Sequence, residues 1–414
     1  MEYDVIVCGA GPAGLAAALE ADRQGARTLL IERDGMVGGM ATQGMLNVFC
    51  GDAPSALYGE IFAKLVRRMA HRKAFDIEEL KAFFLDKLAA SGVKTLLHAA
   101  VLDAQVGGGR VTGLRTLENG GIGSHAGKIY IDCTGNGDLA AACGVPFTLG
   151  RETDGAMQPV TVYIRLGGVD AETFLKLERS DLDALQRELT AAGERGEIDP
   201  AACALRLIPE KRDGYLNLNM TNATGVDGTD SEALTAAEFR CRGQIPSLLA
   251  FIRARVPGCE NAYVIQTGAY AGIRESRHFA ADYIVTENDL ADGRVFDDWC
   301  VANAQNSFNV HNMTGAGGDV TGRSCAARYT LPYRSLCAEG FDNLLLAGRC
   351  IGGTHMAHSS YRVIPICMAM GQAAGTAAAL AAADGCAVSD IDTGRMQSIL
   401  ISRGVTPPGA QIGR

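Results

Sequence analysis

The chain has 414 residues, 47% of them apolar, and a net charge of −9. That length supports two or more domains with sizeable cores, and the acidic balance counts against general nucleic-acid binding. The 13 cysteines are odd in number and form no CxxC or CxxH pair, which argues against a zinc ribbon or disulfide framework and for free thiols in a reducing compartment.

In chain order, YDVIVC at 3–8 is an apolar run of buried-strand length. Gly9, Gly11 and Gly14 follow it directly as GxGxxG, and residues 15–23 continue as a helix. A second strand at 28–31 ends at Glu32, 18 residues past Gly14. A glycine motif between strand and helix, with an acid closing the second strand, is the fingerprint of a dinucleotide site. Gly9 permits the tight turn, Gly11 admits a pyrophosphate, and Gly14 lets the helix pack near the strand. The helix N-terminus faces the phosphate charge. Glu32 accepts hydrogen bonds from a ribose diol and repels a 2′-phosphate, so NADP is disfavoured there.

Helical periodicity recurs at 61–70 and 77–90, and 94–104, 110–117 and 128–132 read as strands. VGGGR at 106–110 and NGGIGSHAG at 119–127 lie between strand-like segments and read as hairpin turns. TGAGGDVTG at 314–322 lacks a preceding strand and reads as a loop, which leaves one dinucleotide site. From residue 151 the character changes. VTVYIRL at 160–166 and GYLNLNM at 214–220 alternate as sheet, while 171–195 and 231–256 read as helices. FDNLLLAGRCI at 341–351 restores a buried strand with a glycine-rich end, followed by a helix at 369–383. Residues 364–383 carry no charge and contain the pair Gly371 and Gly375, but the high alanine content, Pro365 and Gln372 favour a buried helix over a membrane span. The expected fold is α/β: a Rossmann-like dinucleotide-binding domain at 1–150 and 336–402, an inserted α+β substrate domain at 151–335, and a tail at 403–414.

Six motifs occur in a telling order: GAGPAG with Glu32, GGMAT at 38–42, IDCTGNGD at 131–138, GIRESRH at 272–278, YTLPYRSL at 329–336, and AGRCIGGTH…YRVIP…MGQAAG at 347–375. Together they resemble the FAD-dependent oxidoreductases related to the flavoprotein subunits of fumarate reductase and succinate dehydrogenase, over nearly the whole chain. The resemblance implies non-covalently bound FAD in a glutathione-reductase-type domain interrupted by a substrate domain. It places Gly9, Gly11, Pro12, Ala13 and Gly14 at the pyrophosphate, and Glu32 with Arg33 at the adenosine ribose. Val101 would meet adenine through its backbone, and Thr134, Gly135 and Asp138 would close the site. Gly39, Met40, Ala41 and Thr42 would lie along the ribityl chain and flavin, with Gly348, Arg349, Arg362, Val363 and Pro365 as the facing wall. Met40 stands where a smaller or hydroxylic residue is frequent, and Gly352–Gly353 replaces a common serine-containing pair. The missing CxxxxC pair argues against a dithiol reductase.

RCIGGTHMAHSSYR at 349–362 also invites a metal interpretation, but His355 and His358 are three apart rather than four and have no carboxylate nearby in sequence, so no metal is expected. As a flavin wall the stretch is coherent: the following helix N-terminus and Arg362 favour negative charge on the reduced cofactor. His355 either faces substrate or hydrogen-bonds to backbone, Tyr361 is a further catalytic candidate, and His358 is structural. Arg274 and Arg277 share one face if GIRESRH is helical. They form either an anion or carbonyl clamp over the flavin or an ion-pair network with Glu275. His311 matches a histidine the family often carries before YTLPYRSL and is either a proton-transfer group or a loop residue. His71, His98, His125 and His278 read as surface or packing residues. The expected activity is hydride transfer between a small organic substrate and flavin N5, with an unknown electron acceptor or donor. The alternatives are a flavin-dependent tRNA-modifying protein and a non-catalytic electron relay or sensor. No nucleic acid or membrane partner is expected, and the location is expected to be cytoplasmic.

Overall fold

The computed structural model describes residues 2–69, 72–318 and 322–410, so His71, part of the 314–322 loop and the end of the tail lie outside the described residues. Five strands build the central sheet: β1 (Tyr3–Cys8), β2 (Thr28–Ile31), β3 (Lys94–Leu96), β4 (Gly127–Asp132) and β5 (Leu344–Leu346). Their order is β5-β4-β1-β2-β3, with every neighbour parallel. A parallel sheet is covered on both faces, which is why β2, β5 and β1 from Val5 onward are continuously buried rather than alternating, while the edge strand β3 stays partly exposed. Helix α1 (Pro12–Arg23) leaves β1 through the glycine motif. The chain returns at β5, passes through α2 (His355–Tyr361) and α3 (Ile364–Asp384), and closes the domain core with a last helix, Thr393–Ser402, that buries Met396 and Leu400.

Helix α3 is long and apolar enough by length and composition to cross a membrane, yet 94% of its most apolar window is buried inside the protein. Its glycines explain the burial. A Cβ at Gly371 or Gly375 would collide with the carbonyl oxygens of Ala13 and Ala17 on α1. The small-residue pair is thus a helix-to-helix contact of this core.

Several expected elements are divided. The strand expected at 94–104 breaks at His98, which takes a left-handed φ of 56°. β3 ends at Leu96, and Ala99–Gly107 starts a separate antiparallel sheet with Arg110–Glu118 and Gly121–His125. VGGGR is a hairpin turn as expected, whereas most of NGGIGSHAG is itself a strand. The helix expected at 171–195 is two, Ala171–Phe174 and Arg179–Glu194, the second started by a reciprocal cap between Glu178 and Asp181. The helix expected at 231–256 breaks at Gln244 because Pro246 has no N–H to continue the ladder.

The insertion has its own core. Leu207–Pro209, Leu216–Leu218, Ile164–Gly167 and Tyr263–Thr267 form an antiparallel sheet in that order, packed by Leu185, Leu189, Leu248 and Ile252 from its helices. Most of the residues that follow do not share it, although Ala316 packs against it. Val285, Trp299 and Leu336 belong to the core of the dinucleotide domain, and the strand Trp299–Ala304 lies against α3. The 151–335 segment therefore packs as two parts, only the first of which forms the separate body. Among the described residues no disulfide links any cysteines.

Candidate flavin and substrate site

One cavity of about 740 Å³ runs from the glycine-rich turn of β1 to His311. At its nucleotide end, Gly9 has φ of 92°, and a Cβ there would press into the Cys133 carbonyl. Gly11 lines the cavity, and a Cβ on it would meet nothing within 4 Å, so backbone is open to a ligand at the start of α1. Pro12 and Ala13 also line it. Gly14 does not; a Cβ there would strike the Gly9 carbonyl, so this glycine serves helix packing. Glu32 closes β2 and lines the cavity beside Arg33 and Val101. Its Oε2 accepts from the Ala10 N–H at 2.6 Å and its Oε1 from the Asp34 N–H at 3.0 Å. Burial raises its pKa against the pull of those two bonds.

The IDCTGNGD turn faces them. Thr134 donates to Asp132 at 2.8 Å and accepts from the Asp138 N–H at 2.7 Å, which fixes the turn. Asp132 is buried, and its carboxyl is pushed up to about 6 by that burial. Thr134, Gly135 and Asp138 all line the cavity.

Further along, Gly39 and Met40 form one wall, and Gly348, Arg349, Arg362 and Val363 another. Ala41 and Thr42 lie beneath the surface rather than on it; the Thr42 hydroxyl donates to the Val37 carbonyl at 2.6 Å. Val363 caps α3, whose first turn presents Ile364 and Cys367 to the cavity. Pro365 occupies that turn without facing the cavity, filling a position where an N–H has no helical partner. Arg349 is held by Ser276 at 2.8 Å and Asn136 at 2.5 Å. Arg362 donates to the Asn309 carbonyl at 3.0 Å and Gln158 at 3.2 Å.

The far end is built around cations. His311 sits with its Nδ1 3.0 Å from Arg206 Nη1, and its backbone N–H donates to Gln158 Oε1, the same oxygen that receives Arg362. Arg274 donates to the Pro159 carbonyl and to Asn219 at 3.4 Å. Burial lowers the pKa of Arg206, Arg274 and Arg362, and pushes Arg274 down to about 9 with help from Arg362. Burial and these three guanidiniums hold His311 far below the usual histidine range. Among the described residues none of the three arginines is paired with a carboxylate, although Tyr163, Asn219 and Cys50 line the same space. Partly desolvated cations without counterions are costly, so an anion in this end of the cavity would offset their charge.

Three expected catalytic residues lie elsewhere. GIRESRH is extended, not helical, and ends in the strand Arg277–Phe279. Residues three apart on an extended chain point to opposite sides, so Arg274 faces the cavity while Arg277 turns away. Arg277 donates to the Asn136 carbonyl at 3.1 Å and contacts Asp138 at 3.3 Å, buttressing the cofactor turn. His355 is buried behind the wall with its Nδ1 2.7 Å from Glu275. Tyr361 is fully buried, and its hydroxyl is spent on the Ile351 carbonyl at 3.4 Å. His125 pairs with Glu118 at 3.0 Å, and His278 is buried against Glu275 at 2.9 Å. Sequence reasoning missed Arg206, Tyr163 and Asn219. The one local signal was an arginine between two leucines, Leu205 and Leu207, in a run without motif.

This cavity is lined by a glycine turn with open backbone, by the acid that closes β2 and by the first turn of α3, a lining that fits an extended dinucleotide with a flavin. The fold and site define a dinucleotide-binding flavoprotein. The chain belongs to the FAD dependent oxidoreductase family, which matches residues 4–400, and FAD is its cofactor. Among solved structures it is similar to GidA of Aquifex aeolicus, with 16% identity, a TM-score of 0.54, and coverage of 99% of this chain and 69% of that one. A geranylgeranyl bacteriochlorophyll reductase-like protein from Thermoplasma acidophilum gives 14% identity, a TM-score of 0.53, and coverage of 98% and 84%. The p-nitrophenol 4-monooxygenase PnpA from Pseudomonas putida DLL-E4 gives 12%, 0.50, 98% and 85%. At these identities the likeness is one of fold. No curated protein sequence matches the chain.

Proposed function

We propose that the protein transfers a hydride between the flavin and a small organic acid whose anionic group is held by Arg206, Arg274 and Arg362. The observation that carries this is the gathering of three half-buried guanidiniums, none with a carboxylate partner among the described residues, around a histidine held unprotonated, in the cavity that also holds the glycine-rich turn. The motif resemblance to fumarate reductase flavoproteins agrees with an organic-acid substrate. Bound FAD supplies N5 as the hydride acceptor or donor. The arginines orient the acid, since a guanidinium gives two parallel hydrogen bonds to a carboxylate. Burial, and after it the three guanidiniums, keep His311 unprotonated; a carboxylate among them offsets the second of these, so binding favours a proton on the imidazole, which then serves the reaction as a local acid or base. Tyr163 stays a protonated hydroxyl because burial raises its pKa, so it is a donor in the same pocket.

The test is anaerobic mixing of the FAD-loaded protein, oxidised or prereduced, with a panel of carboxylic acids and their neutral amides. Flavin bleaching or recovery is expected with acids only, with proton uptake on binding. Arg206→Met and Arg274→Met are expected to raise KM while keeping FAD. His311→Gln is expected to slow the hydride step by roughly 10²–10⁴-fold. Equal reaction of neutral amides, or unchanged KM in both arginine variants, sinks the proposal. A lower melting temperature with FAD loss and normal rates would instead assign these residues to stability.

A further inference from the structure

Behind the cavity wall lies a cluster that the hydride chemistry does not use. Glu275, His278, His355 and His358 are 1%, 6%, 2% and 1% exposed. Glu275 Oε1 lies 2.9 Å from His278 Nε2 and 2.7 Å from His355 Nδ1, and its Oε2 accepts from the Gln158 N–H at 3.0 Å. The rings of His278 and His358 meet edge to face, 4.8 Å between centres. Both nitrogens of His358, and Nδ1 of His278, have no hydrogen-bond partner among the described residues. Buried polar atoms are nearly always satisfied, and an exception points to a missing water or ion.

The donor geometry favours an ion. One atom each from Glu275, His278 and His358 lie within 4.8 Å of one another. Neither neighbouring arginine takes the carboxylate: Arg349 is bound to Ser276 and Asn136, and Arg362 to Gln158 and Asn309. We propose that Glu275, His278 and His358 bind one divalent first-row transition-metal ion of the zinc or iron(II) type. Two imidazoles and a carboxylate suit those metals, whereas calcium and magnesium want more oxygen donors. His355 then has the position of a supporting group that hydrogen-bonds and orients a ligating carboxylate. The spacing rule applied to His355 and His358 alone misses this site because its ligands come from two segments, GIRESRH of the insertion and α2 of the returning chain. The metal staples those segments together; its role is structural and independent of the substrate proposed above.

Metal content of the untagged, FAD-loaded protein tests this directly. The protein is stripped with dipicolinate, then given Zn²⁺ alone or Fe²⁺ alone without oxygen, desalted, and assayed by mass spectrometry and thermal melting. About one equivalent is expected to bind with a rise in melting temperature, because a bound metal stabilises the folded state. His358→Leu is expected to bind none, and His358→Cys, which keeps a donor, is expected to retain Zn²⁺. Wild-type protein that takes up neither metal and shows no melting shift overturns the proposal, whether or not the variants fold. Equal uptake by wild type and His358→Leu overturns it as well, and uptake of neither metal assigns the cluster to a hydrogen-bond network.

Discussion

Glu32 holds the glycine-rich turn as well as facing the cavity, since one carboxylate oxygen takes the Ala10 N–H and the other the Asp34 N–H. Glu32→Ala is therefore expected to weaken FAD binding by about 1–3 kcal/mol, measured by cofactor titration, with a smaller loss in Glu32→Gln, which keeps one acceptor. His311 makes a pH-dependent contribution of definite sign. Its folded pKa lies well below the unfolded value, so below about pH 6.5 the unfolded chain binds a proton that the folded protein does not. Its effect on stability is absent at neutral pH and grows as pH falls, by about 1.4 kcal/mol per unit. Melting temperatures followed downward from neutral pH are expected to drop less steeply in His311→Gln than in the wild type. At this scale the glycine-rich, GGMAT and IDCTGNGD residues that line the cavity were legible because each belongs to a short motif whose spacing encodes a backbone shape. Arg206 was not, because its partners His311 and Arg274 lie far away in sequence and only the fold unites them. His355 and Tyr361 were drawn to the flavin by proximity in sequence, and the fold turns both inward.

Helices α1 and α3 touch through glycine, and the stability effect of an alanine there depends on what it meets. Gly371→Ala places a methyl against the Ala13 carbonyl and is expected to cost about 1–3 kcal/mol or more. Gly59→Ala, at an exposed position of the helix Ala56–Leu65 with open space around it, is expected to stabilise by about 0.5–1 kcal/mol. Opposite shifts in denaturant midpoint would check both. The start of α3, with Arg362 beside it, gives the cavity a positive wall. Arg362→Ala is expected to lower the flavin midpoint potential, read by spectroelectrochemistry; an unchanged potential would mean that the guanidinium acts on substrate alone. Periodicity revealed β1, α1 and α3 because long apolar patterns have few alternatives. It could not reveal the break at His98, where one left-handed residue sends a continuous-looking strand into two sheets, nor the extended course of GIRESRH.

Across the whole molecule, the interrupted dinucleotide domain was visible in the late return of a buried strand and glycine motif. Its division from the insertion was less so, because Trp299–Ala304 is as apolar as any domain-core strand wherever it packs. The cavity draws on both bodies and on the returning segment, so cofactor binding is expected to need that segment. A chain ending after residue 335 lacks β5, Arg362 and α3. It is expected to come out colourless and to take up no FAD in ultrafiltration with added cofactor, whereas recovery of a yellow protein would show that the glycine-rich turn suffices alone.

The position of β5 at the sheet edge has a consequence for biosynthesis. It follows β4 in space but lies 212 residues beyond it in the chain, counting from Asp132 to Leu344. A ribosome adding about 5–20 residues per second needs roughly 10–40 s to cover that interval. Throughout it, β4 is an open edge and the alanine face of α1 has no helix to cover it, the kind of surface that recruits chaperones or neighbouring chains. The insertion, whose core is complete by about residue 264, can fold during that wait. Synthesis thus finishes the substrate-side body before the body that carries the cofactor.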